Sequence, residues 1–109
     1  MLGKLTKQPN QAFGPVLRGL RKERGLSQEA LALEAGIQRN YVSLIERGVN
    51  QPTITIIFEL AASLEMKPSQ VIELVEIACH KTSIRVFNMI FKGRRRNIKQ
   101  NLKIFLKFG

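Results

Sequence analysis

The stretch SQEALALEAGIQRNYVSLIERG, residues 27–48, constrains this fold most, because two helical apolar patterns meet at Gly36 with almost no chain to turn in. Helices joined through AGIQ must cross steeply, with both apolar stripes facing one core. Such a crossing needs a small residue where the helices touch and a glycine at the bend. Ala32 and Gly36, four apart, are placed to supply both, and Leu31, Ala35, Ile37, Val42 and Ile45 furnish the shared interior. Gln38, Arg39, Asn40 and Ser43 are left outside, at the N-terminal end of the second of these helices. No core would take that run.

The rest of the chain reads as further short helices. Phe13, Leu17 and Leu20 recur at helical spacing up to Gly25. Pro15 leaves two starts open: near Gly14 with the proline in the first turn, or at Gln11 with a local distortion. Ser27 is a good N-cap for the second helix, and Glu29 lies in its first turn, where the helix dipole favours an anion. The third helix is expected from about Gln38 to Arg47, ending at Gly48. After the loop NQPT, Thr53 caps a fourth helix whose inner face is read as Ile54, Ile57, Phe58, Ala61 and Leu64. Pro68 opens a fifth, with Val71, Leu74, Val75 and Ala78 as its stripe. The expectation is an all-α fold, a compact five-helix domain over residues 11–80, with a flexible arm at 1–10 and a basic, partly helical extension at 81–109.

Charge sets that last boundary. Residues 1–80 carry nine Lys or Arg against eight acids, a net +1, whereas residues 81–109 carry nine Lys or Arg and no acid. A composition break this sharp near His80 separates a mixed-charge domain from a basic appendage. Positive charge favours anionic partners, nucleic acid or an acidic membrane surface, without choosing between them. No stretch approaches the roughly 20 apolar residues of a membrane span, and MLGKLTKQPNQAF lacks a signal-peptide core. The single Cys79 and single His80 cannot build an internal disulfide or the usual four-ligand zinc site. No carboxylate pair or nucleophile motif accompanies them. A cytoplasmic, non-enzymatic protein with no metal or cofactor is expected.

The polar run has a physical use. Amide and guanidinium groups bond bidentately to adenine and guanine edges, and an α-helix fits the major groove of B-DNA. The segment LRGLRKERGLSQEALALEAGIQRNYVSLIERGVNQPTITIIFELAASL resembles the helix-turn-helix domain of the Cro and phage-repressor superfamily, the XRE-type regulators, over roughly residues 11–78. GLSQE, AGI, the Arg39, Tyr41 and Ser43 spacing before IERG, and PT all fall at family positions. The resemblance implies a lambda-repressor-like fold of five helices and sequence-specific binding of double-stranded DNA, usually as a homodimer at inverted repeats. By motif position it implies base reading by Gln38, Arg39, Asn40 and Ser43, with Leu44 at the edge of that surface. It implies backbone contacts by Ser27, Gln28, Tyr41 and Arg47, and a structural ion pair between Arg21 and Glu46. Gln38 departs from the family in standing where a Ser or Thr cap is common.

A dimer needs apolar surface off the core stripes, and Ile56, Ile72 and Ile77 are read as that surface, with packing against the tail as the alternative. In the tail, Ile98, Leu102 and Phe105 alternate with Lys99, Lys103 and Lys107 in an amphipathic basic pattern. Arg94, Arg95 and Arg96 are placed to neutralise phosphates without reading sequence. A protein partner held by the tail, in the manner of an antitoxin that binds DNA only incidentally, is the rival reading; a membrane role ranks third.

Overall fold

The structure, a computed structural model, describes residues 7–80. Five helices follow in order: α1 (Pro9–Glu23), α2 (Gln28–Ala35), α3 (Arg39–Glu46), α4 (Ile54–Ser63) and α5 (Pro68–His80). No strand occurs among the described residues. The readings on Arg94, Arg95, Arg96 and the rest of the extension lie outside them.

Local chemistry sets most of the boundaries. Ser27 Oγ accepts the Ala30 amide at 3.0 Å and Thr53 Oγ1 accepts the Ile56 amide at 3.2 Å, so both caps act as expected. Gly36 closes α2 in the left-handed region, φ 72°, where a side chain would be strained, and the Ile37 amide returns to the Ala32 carbonyl at 3.0 Å. Leu31, Ala32 and Ala35 of α2 meet Val42 and Ile45 of α3 in the interior, as the short AGIQ link requires.

The first helix begins earlier than either expected start. Pro9 opens it, where a missing amide costs nothing, and the Gln8 amide donates to Gln11 Oε1 at 3.0 Å. Pro15 lies inside the helix with its ring on the exposed side. Helix therefore enters the segment 1–10 expected to be an arm, and the Lys7 amide donates to the Cys79 carbonyl at 3.0 Å, tying the chain to the end of α5.

Two inner faces also differ from the reading. In α4, Leu60, Ala61 and Leu64 are buried, while Ile54 is 74% and Phe58 58% exposed. Its polar residues Thr55, Glu59 and Ser63 form one narrow stripe and apolar residues cover the rest, so the periodicity leaves a wide arc in which the inner face can lie. In α5, Ile77 is 1% exposed and belongs to the core, correcting its assignment to a partner surface. It stands three residues beyond Leu74, on the flank of the expected stripe, and α5 packs on both α1 and α4, which widens the buried arc. Of the other two, Ile56 is partly buried against the core and Ile72 is 45% exposed.

Candidate nucleic-acid interface

The polar edge of α3 is built by what holds the helix from behind. Val42 and Ile45 are buried, so the opposite side of this eight-residue helix must face out. Gln38, Arg39 and Asn40 are exposed; Ser43 and Leu44 are half-buried at the rim of the same side. Gln38 is the N-cap but makes no side-chain cap bond, which leaves its amide open to a ligand. Gln38, Asn40, Tyr41 and Leu44 line a shallow depression of about 390 Å³.

Behind this edge sits a buried clamp. Arg21 Nε donates to Glu46 Oε2 at 2.6 Å and Arg21 Nη2 to Glu46 Oε1 at 3.1 Å, a bidentate pair with little solvent access. Arg21 Nη1 donates to the Leu26 carbonyl at 2.8 Å, so a single guanidinium joins α1, the loop before α2 and the end of α3. Gln28 Nε2 adds a bond to Glu46 Oε1 at 3.1 Å, which spends one of its donors inside the fold. Its acceptor and the free amides at the start of α2 keep the anion-favouring character of a helix N-terminus.

The remaining predicted contacts lie on this surroundings. Ser27 is exposed, with its hydroxyl engaged in capping. Tyr41 is half-buried, partly packed on the core and open toward the depression. Arg47 is exposed at the C-terminal cap of α3.

Two features of the site escaped the sequence reading. Gly14 lies where α1 crosses the end of α3, and a Cβ there would strike the Glu46 carbonyl and stand 2.7 Å from the Ile45 carbonyl oxygen. A glycine in mid-helix, costly by propensity, was the available signal. Gln51 Nε2 donates to the Asn10 carbonyl at 3.1 Å, fastening the loop after α3 onto the first turn of α1. That bond joins residues 41 apart in sequence and leaves no local trace.

Residues 17–71 match the family described as helix-turn-helix. The chain is 32% identical over 72 residues to the HTH-type transcriptional regulator SlrR of Bacillus subtilis (strain 168), a match covering 65% of this chain and 47% of SlrR. It thus spans about half of that relative's length. Control protein C.BamHI of Bacillus amyloliquefaciens is 30% identical over 74 residues, covering 67% of this chain and 91% of its own. Among solved structures, the restriction-modification controller protein C.AhdI of Aeromonas hydrophila is similar with a TM-score of 0.54 and 42% identity, over 55% of this chain and 91% of that one.

Proposed function

We propose that this chain, which belongs to the helix-turn-helix family of XRE-type transcriptional regulators, binds operator DNA sequence-specifically with α3 in the major groove. The observation that carries this is the exposed edge of Gln38, Arg39 and Asn40, held clear of the interior by the buried Arg21–Glu46 pair. Arg39 offers a guanidinium suited to guanine, and the two amides offer the donor and acceptor that match adenine. Ser43 and Leu44 allow close approach at the rim. Ser27, Gln28, Tyr41 and Arg47 are proposed as phosphate contacts flanking the groove, and Arg94, Arg95 and Arg96 as further contacts that add affinity without selectivity.

One such helix touches only a few base pairs, so a homodimer on a near-palindromic site is proposed, its two recognition helices about 34 to 36 Å apart. Ile54 and Phe58, exposed four residues apart on α4, together with Ile72 on α5, supply the apolar surface such a dimer needs. The family is one of DNA-binding regulators rather than enzymes, and a cytoplasmic location is proposed with it. No helix among the described residues is long and apolar enough to cross a membrane.

Selection from random duplexes, followed by a salt titration on the winning sequence, tests this reading. A near-palindrome should emerge, and replacing Arg39 or Asn40 by Ala should cost about 1 to 3 kcal/mol of binding while relaxing one position of each half-site. Binding that enriches no sequence, or selectivity unchanged in both variants, would overturn it.

A further inference from the structure

The depression on α3 has a chemistry of its own. It is lined by the apolar Leu44, the aromatic Tyr41 and two neutral amide residues, Gln38 and Asn40; Arg39 does not line it. Asn40 and Leu44 stand four apart on α3, and Tyr41 and Leu44 three apart, so the three share one face. The Gln38 amide is uncommitted because it forms no cap bond. A partly apolar surface beside amides, with no cation lining it, offers a phosphate no charge and guanine no guanidinium. It suits an A·T pair, which shows the major groove a C5-methyl on thymine and an acceptor and donor on adenine.

We propose that this depression is a thymine-methyl pocket. The C5-methyl of a thymine seats on Leu44 and Tyr41, while Gln38 or Asn40 bonds an adenine edge beside it. Arg39, outside the depression, reads a neighbouring position independently. This rests on the DNA-reading function proposed above and adds which base pair that surface selects. Leu44 becomes a specificity-determining residue through apolar contact, a role that donor and acceptor matching alone would not assign to it.

Methyl removal in the DNA tests the proposal. Each thymine of the selected operator is replaced in turn by deoxyuridine, which deletes only the methyl and keeps every hydrogen bond. At one position per half-site, affinity of the unaltered full-length chain should fall about fourfold for each methyl lost, the worth of one buried methyl group. In Leu44→Ala the same replacement should cost clearly less than in the unaltered chain, because only the Tyr41 part of the contact remains, a ratio that a general loss of stability or affinity does not move. A 5-methylcytosine–guanine pair at that position restores the methyl without the adenine, and should not restore binding.

No penalty at any thymine in the unaltered chain would overturn the pocket while leaving sequence-specific binding standing, and this arm decides even if Leu44→Ala does not fold. An undiminished penalty in folded Leu44→Ala, or full binding to the 5-methylcytosine duplex, would also overturn it. Failure to enrich any operator at all would instead remove the underlying function and the pocket with it.

Discussion

At Glu46 one carboxylate serves three donors: two nitrogens of Arg21 and the amide of Gln28. Its side chain is almost shut off from water, so removing it strands a buried guanidinium, which costs about 3 to 5 kcal/mol. Glu46→Ala should therefore lose stability on this scale in urea denaturation, while the fraction that remains folded should keep the same preferred operator. Relaxed preference with stability intact would make Glu46 a reader instead of a clamp. The pairing of Arg21 with Glu46 was legible only through the family resemblance, since 25 residues separate them; the capture of Gln28 by the same carboxylate was not legible, because it depends on the angle at which α2 meets α3. Cys79 gives a second test at this scale. Burial first, then the negative charge of Glu76, pushes its thiol above the ordinary range, with Lys7 opposing. The fold therefore holds a proton that the unfolded chain gives up earlier. Stability is fully present below about pH 8.5 and is lost as pH rises through the folded thiol's value. Urea midpoints at about pH 7.5 and about pH 9.5 should show that alkaline decline in the native chain and a smaller one in Cys79→Ser.

Among the elements, α3 sets folding stability against the DNA reading proposed for it. A helix with no side-chain cap is weaker than its neighbours α2 and α4, which have Ser27 and Thr53. Gln38→Ser should stabilise the domain by about 0.5 to 1 kcal/mol by supplying a cap, yet weaken operator binding if the Gln38 amide meets a base. Thermal melts and binding titrations moving in opposite directions would show that the poor cap is retained for recognition. A variant more stable and equally tight would remove Gln38 from the reading surface. The pose of α3 is set by α1, whose backbone comes so close at Gly14 that no side chain fits. Gly14→Ala should destabilise by about 1 to 3 kcal/mol through overpacking, although alanine is the better helix former; a higher melting temperature would show that the crossing has room to give. The order of the five helices and the turn at Gly36 were readable because caps, glycines and a 3.6-residue period agree there. The phase of α4 was legible only roughly, since the polar stripe of Thr55, Glu59 and Ser63 is narrow and Ile54, Ile56, Ile57, Phe58, Leu60 and Ala61 span the wide remaining arc, within which packing against α2 and α5 decides which of them faces in.

For the molecule as a whole, the exposed part of α4 bears on how a small domain achieves specificity. Two copies related by a two-fold axis must place their α3 helices about 34 to 36 Å apart to enter successive major grooves on one side of DNA. Copies that hold one another directly must do so with surface that the core does not use. Ile54 and Phe58 meet that condition at 74% and 58% exposure, whereas Ile77 cannot, being interior. The net +1 of residues 1–80 also matters: two domains of nearly balanced charge can approach without strong repulsion, and the proposed general attraction to DNA then rests on the nine cations of residues 81–109. Phe58→Asp separates these terms, because it places a charge on the proposed contact without disturbing the interior or the α3 edge. Its urea midpoint should match that of the native chain within about 0.5 kcal/mol, while sedimentation should shift from dimer to monomer. Operator binding should weaken and lose its steepness with protein concentration, yet the preferred half-site should stay the same. A variant that remains dimeric and binds a full operator as tightly as before would move the partner surface off α4, and the face left exposed by Ile54 and Phe58 would then need another occupant.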